Sequence, residues 1–242
     1  MDTEAQPTTE RDRSSRPPRG AVEGRSRFSL AWIAERLPGG RISLTLLICL
    51  VFLLLLNAFV VQPFRIPSGS MENGLRIGDR VLVNKLAYRF GAGPRRGDVV
   101  VFDGTEYFGN SDYVKRVVGV GGDHVVCCDK EGRIRVNGRS VDESSFLYPG
   151  DSPSTVDFDV KVPEGTLFVL GDHRSASSDS RDHLGSPGGG MIPVDRVIGR
   201  ADWLVRPYAR LTRLSRPSAY ARVPAASAQG ASGTRTAAGV HG

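Results

Sequence analysis

Tyr113-Val114-Lys115-Arg116-Val117-Val118-Gly119-Val120 decides the fold. β-branched residues dominate it, and such side chains fit a pleated, half-buried surface better than a helix. Side chains along a strand alternate between faces, so Lys115 is able to point inward with neighbouring apolar residues. The ordinary place for a lysine in such a strand is an exposed edge, so an inward Lys115 needs a further reason.

Runs of the same kind lie on both sides: Arg80-Val81-Leu82-Val83-Asn84, Asp98-Val99-Val100-Val101-Phe102, Thr166-Leu167-Phe168-Val169-Leu170 and Arg196-Val197-Ile198-Gly199-Arg200, each bounded by Gly, Asp or Pro. Arg133-Ile134-Arg135-Val136 and Arg139-Ser140-Val141 flank Asn137-Gly138, the dipeptide that favours a two-residue hairpin turn. No helical pattern of comparable strength competes in this part of the chain. The expectation is a mainly β fold, a coiled antiparallel sheet closed into a barrel-like body over 62–122 and 164–214, with a smaller inserted β lobe over 123–163.

Upstream of the β region, residues 42–61 form an apolar run without a charge. About 20 residues at 1.5 Å rise cover a hydrocarbon core of roughly 30 Å, so one N-terminal transmembrane helix is expected. Arg25, Arg27, Arg36 and Arg41 precede the run, while only Arg65 follows closely. That asymmetry puts the N-terminus in the cytoplasm and everything after the run outside, a single-pass arrangement in the plasma membrane. A cleaved signal is the alternative, but its apolar core would be shorter, and Gln62-Pro63-Phe64-Arg65-Ile66 lacks the small residues of a cleavage site.

Residues 1–41 are rich in Arg, Pro, Ser, Thr and Glu, a composition unable to bury enough surface to offset its ordering entropy. Residues 215–242 are Ala, Ser, Gly, Arg and Pro without periodicity. Both are expected to be disordered, the first as a cytoplasmic arm and the second as a tail. The net charge of +6 across 242 residues comes with no nucleic-acid motif, so anionic lipid is the partner it suggests. Cys49 lies inside the apolar run. Cys127 and Cys128 are adjacent, a spacing that reaches ordinary disulfide geometry only with backbone strain.

The chemistry-bearing residues are serines and one lysine. A serine hydroxyl is a weak nucleophile that needs an adjacent base, and a lysine amine serves once burial lowers its pKa. His124, His173 and His183 each follow an Asp, but neighbours along an extended chain face opposite ways. Neither that arrangement nor any metal-ligand spacing favours them, and no cofactor or metal is expected.

Five blocks occur in order: Ile66-Pro67-Ser68-Gly69-Ser70-Met71; Ile77-Gly78-Asp79-Arg80-Val81-Leu82-Val83-Asn84-Lys85; Arg96-Gly97-Asp98-Val99-Val100-Val101-Phe102; Tyr113 to Gly119; and Gly171-Asp172-His173-Arg174 with Ser177 and Asp179-Ser180-Arg181. The series resembles that of bacterial type I signal peptidases, from the apolar run to about residue 201. The resemblance implies a membrane-anchored serine endopeptidase that removes signal peptides from exported preproteins through an acyl-enzyme, close to the secretion translocon.

By the same resemblance Ser70 is the nucleophile and Lys115 its base, and the Ser68 hydroxyl with the Ser70 N–H forms the oxyanion hole. Ser177 orients the lysine, Asp179 and Arg181 form a supporting ion pair, and Met71 packs beneath the site. The chain departs from the family pattern at Glu72-Asn73-Gly74, where a Pro-Thr is usual, at Gly121 in place of Pro, and at His173 in place of a frequent Asn. Those departures leave open a catalytically impaired paralogue or a membrane-anchored binding module of the same fold. Soluble self-cleaving Ser-Lys proteins share the chemistry but not the apolar run.

Overall fold

The computed structural model describes residues 40–226. The arm expected over 1–41 therefore lies, up to residue 39, outside the described residues, as does the chain beyond 226. Helix α1 runs Gly40–Phe59, and the boundary between the chain's two compact units falls inside it, between Leu50 and Val51. Leu46, Ile48, Leu50, Phe52, Leu53 and Leu54 are each more than half exposed. The side chains described in α1 are those of 42–57 and Phe59, and among the described residues no helix is long and apolar enough to cross a membrane. The helix also stops short of the expected end: Val60 closes it with a bond to the Leu56 carbonyl, and Val61 opens a strand.

Twelve strands follow: β1 Val61–Arg65, β2 Arg80–Asn84, β3 Val99–Asp103, β4 Asp112–Val120, β5 His124–Cys127, β6 Arg135–Val136, β7 Arg139–Ser140, β8 Phe158–Lys161, β9 Thr166–Leu170, β10 Ile192–Pro193, β11 Val197–Arg206 and β12 Thr212–Arg213. Eight make one antiparallel sheet in the order β1-β2-β11-β3-β4-β9-β10, with β12 on β11. The other four form a second sheet, β7-β6-β5-β8. The fold is mainly β, as expected, but among the described residues no barrel closes. The two ends of the main sheet, β1 and β10, carry Pro63 and Pro193, which lack the N–H that a further ladder would need.

The Asn137-Gly138 hairpin joins β6 to β7. Both residues hold positive φ, 50° and 79°, the backbone of a turn whose twist matches its strands. β11 runs on to Arg206, well past the expected Arg200, and pairs with both β2 and β3. β4 pairs β3 on one side and β9 on the other. Lys115 is thus interior to the sheet and not on an edge, and it is only 3 % exposed.

Residues 215–226 correct the reading of a disordered tail. Tyr220 and Val223 are buried in the cluster that holds Phe146, Phe168 and Leu170. Arg216 pairs Asp98 at 2.6 Å, and the Pro224 carbonyl accepts from Asn137 Nδ2 at 3.0 Å. Two apolar side chains spaced three apart in a Pro- and Ala-rich stretch carry too little periodicity to be noticed, yet the core claims both. A second correction concerns Cys127 and Cys128, which are joined as a disulfide.

Candidate active site

The segment between β1 and β2 carries Ser68, Ser70 and Met71. Its ends are fastened by Ile66 N–H to the Asp79 carbonyl and Gly78 N–H to the Ile66 carbonyl, each 2.9 Å. Within it, Glu72 N–H bonds the Gly69 carbonyl at 3.0 Å and Leu75 N–H bonds the Met71 carbonyl at 2.9 Å. Met71 points inward with Ile66, Leu75 and Val81, and Ser70 beside it is itself buried, only 7 % exposed. Ser70 Oγ lies 3.4 Å from Ser68 Oγ.

Gly74 loosens this loop, but Arg210 grips it from the far end of the chain. Its Nη1 donates to both Asp79 carboxylate oxygens at 3.0 and 2.8 Å, and its Nη2 donates to the Gly74 carbonyl at 2.8 Å. Nothing local in the sequence marks Arg210 as a partner of a loop 131 residues away.

Lys115 Nζ donates to Ser177 Oγ at 3.0 Å. Ser177 in turn donates to Asp179 Oδ2 at 2.8 Å, and Arg181 holds the same carboxylate through Nε and Nη2, each at 2.9 Å. Gly171 N–H adds a third kind of donor to Asp179 at 3.0 Å. A hydroxyl has one proton, and that of Ser177 is given to Asp179, so Ser177 can only accept from the amine. One N–H of Lys115 is thereby fixed, and with it the directions left for the nitrogen's remaining valences.

Burial lowers the Lys115 pKa from 10.5 to about 8, against Asp179, which pulls the other way, while Arg181 adds to the depression. For Asp179, burial alone would raise the pKa, but the Arg181 guanidinium and the Gly171 and Ser177 donors outweigh it and leave the carboxyl below its usual value. Asp179 is therefore an anion already neutralised by Arg181, which explains why it does not restore the full ammonium of Lys115.

Gly171 brings the two halves together. A side chain there would start 2.3 Å from Ser177 Oγ and 2.5 Å from the Ser70 carbonyl oxygen, so only a residue without Cβ lets the two segments approach this closely. His173 N–H donates to that Ser70 carbonyl at 3.1 Å. The structure thus gathers Ser68, Ser70, Lys115, Ser177, Asp179 and Arg181, with Met71 packed behind them. Sequence reading missed Arg210 and Tyr148, whose ring stacks on His173 at 3.8 Å, and quoted Gly171 in a motif without giving it a role. Of the other histidines, His124 pairs with exposed Asp159 and His183 stacks on Phe108. Among the described residues no cluster of three or more His, Cys, Asp or Glu is placed to hold a metal.

Beside Ser70 lies a cavity of about 200 Å3, lined by Ile66, Pro67, Met71, Tyr113 and Val114 with Ser111 and Asp112 at its polar side. Its walls are mostly apolar.

Residues 40–206 match the family model described as signal peptidase, peptidase S26. Signal peptidase I of Mycobacterium tuberculosis (strain CDC 1551 / Oshkosh) is 34% identical over 215 residues, covering 67% of this chain and 71% of that protein. Signal peptidase I of Bacillus licheniformis is 35% identical over 175 residues, covering 69% of this chain and 89% of its own length. A crystal structure of a signal peptidase I from Enterococcus faecalis V583 aligns at 26% identity and a TM-score of 0.34, over 44% of this chain and 95% of that one. On the family match and these identities, the chain belongs to the signal peptidase family, peptidase S26, and is a serine peptidase.

Proposed function

We propose that this protein removes N-terminal signal peptides from exported preproteins, with Ser70 as nucleophile and Lys115 as general base. The observation that carries the reading is a lysine amine buried inside a sheet, tuned to about 8 and tethered at 3.0 Å to Ser177, whose hydroxyl packs against Gly171 together with the Ser70 carbonyl. In the first step the neutral amine takes the Ser70 proton as Oγ attacks the scissile carbonyl. The Ser68 hydroxyl and Ser70 N–H receive the oxyanion. The resulting ammonium protonates the leaving amine, which frees the mature protein and leaves an acyl-enzyme; water, deprotonated by the same lysine, then releases the signal peptide.

Ser177, Asp179 and Arg181 act by orienting the amine. The cavity beside Ser70 takes a small residue next to the cut, and the sheet built from 124–161 serves as an appended lobe. A membrane-tethered preprotein calls for an enzyme at the bilayer, and two features support that placement. Apolar side chains of α1 stand exposed at consecutive positions. Trp203 on β11, Ile77 in the β1–β2 loop, and Tyr208 and Leu211 between β11 and β12 are exposed, as are Arg76, Arg80, Arg206 and Arg213, a mixture suited to an anionic lipid surface. We take α1 as the anchor, with the N-terminus cytoplasmic, the sheets outside, and the secretion translocon nearby.

The test uses the full chain in detergent micelles with a preprotein bearing Ala at the first and third positions before the cut. Cleavage is expected after the first of these and not when Leu replaces it, read by mass of the released mature protein. Since the base must be neutral, kcat/KM should be level above pH about 8 and fall tenfold per unit below it. Failure to cleave, or a flat profile between pH about 6 and about 8, would defeat the assignment.

A further inference from the structure

His173 holds both peptide groups that flank Ser70. Its backbone N–H donates to the Ser70 carbonyl at 3.1 Å, and its ring Nδ1 lies 3.3 Å from the Gly69 carbonyl oxygen. The same nitrogen lies 3.8 Å from Glu72 Oε2, and Glu72 folds back over Gly69, its carboxyl carbon 3.3 Å from where a Gly69 side chain would begin. Both oxygens are acceptors, so Nδ1 must carry a proton in this arrangement. Tyr148, stacked on the imidazole within 11° of parallel, fixes the plane in which that N–H points.

Because a trans peptide is planar, its C=O and N–H point in opposite directions. Holding the Gly69 carbonyl therefore aims the Ser70 N–H away from His173. That N–H is one of the two donors assigned above to the oxyanion. Rotation about the Ser70 N–Cα bond swings it, and the imidazole opposes that rotation together with the Glu72 N–H, which donates to the same carbonyl at 3.0 Å; rotation about the Cα–C bond is opposed by the His173 backbone bond, which any side chain would retain.

We propose that His173 is a positioning residue whose imidazole orients the oxyanion-binding N–H of Ser70 through the Gly69 carbonyl. The inference rests on Ser70 being the nucleophile. It predicts a loss in the chemical step and not in binding, because a ground-state carbonyl needs the donor less than the charged intermediate does. Asparagine carries an N–H donor on its δ nitrogen, at the position of Nδ1, so it should replace the imidazole where alanine does not.

The full chain in detergent is assayed on a peptide with Ala at the first and third positions before the cut. His173→Ala is expected to lower kcat by about 10–100-fold, less than loss of a whole oxyanion donor, with KM changed by no more than about twofold. His173→Asn should recover most of that loss, and both variants should melt within a few degrees of the parent. Unchanged kcat in His173→Ala, a change confined to KM, or an Asn variant as impaired as the Ala variant would overturn the proposal. Ser70→Ala run alongside separates the two claims. An inactive Ser70→Ala leaves any failure with His173 alone, whereas cleavage by Ser70→Ala removes the nucleophile assignment and this inference with it.

Discussion

Lys115→Met and Ser70→Ala should each reduce preprotein cleavage by on the order of 10³-fold or more, since neither half of a nucleophile-base pair works alone. What separates the two variants is stability. In the folded protein Lys115 titrates at about 8, against 10.5 for an ordinary lysine. Above pH 10.5 the amine is neutral in both states and folding is unaffected; between 10.5 and about 8 the unfolded chain holds the extra proton, so stability falls as pH falls. Below about 8 the penalty is complete, and at about 1.36 kcal/mol per unit it amounts to roughly 3 kcal/mol.

Methionine fills similar volume without an ammionium to desolvate. After subtracting the lost hydrogen bond to Ser177, Lys115→Met should gain about 1–3 kcal/mol at neutral pH. Ser70→Ala, which removes a small hydroxyl with one contact at 3.4 Å, should change stability little. Urea unfolding of both at pH about 7 and about 10.5 reads the sign, because the gain from Met should vanish at the higher pH. A Met variant that cleaves would sink the role given to Lys115. One that is less stable than the parent would show that the amine is not held at a cost.

The strand residues announced themselves in the sequence because they are short β-branched runs between turn formers; the five longer runs have their partners in the main sheet, and the Asn137-Gly138 hairpin pairs in the second. β1 escaped notice for a physical reason: Val61 continues an apolar helix without a break in composition, and only pairing with β2 through Pro63 and Leu82 turns it into a strand. β11 ran long for the same cause, since its second half is held by β2 and β12. Of the site, the order of the motifs carried Ser70 and Lys115, while the contact of Lys115 with Ser177 spans 62 positions that no local pattern links. Arg210 on Asp79, Tyr148 on His173 and Tyr220 in the core are all long-range pairings of this sort. They are legible only once the sheet has brought the segments together. The adjacent cysteines show the converse limit, where a general rule about disulfide geometry pointed away from the pairing found.

The charge beneath the site should be the most sensitive point of the fold. Arg116 follows Lys115 on β4 and, facing the other way, forks onto Asp172: Nε to Oδ1 at 2.7 Å and Nη2 to Oδ2 at 2.6 Å. Nη1 donates to the Gly97 carbonyl at 2.9 Å, and the guanidinium lies 4.3 Å from the Phe146 ring centre. Arg116 is 7 % exposed and Asp172 2 %. Such a pair contributes little net stability over a well-packed apolar one, because both charges were taken from water, but removing one partner strands the other. Asp172→Ala should therefore cost about 3–5 kcal/mol, read as a fall in the urea midpoint at unchanged slope. The paired change Arg116→Met with Asp172→Leu should recover most of it, since no charge is then left buried. A loss below about 1 kcal/mol in Asp172→Ala would mean that water reaches Arg116 and the network is not dry. Because Asp172 lies between Gly171 and His173, stability and turnover should fall together in the single variant. Any turnover deficit that persists in the restored pair measures what the Asp172 carboxylate does for the Ser70 loop beyond keeping the chain folded.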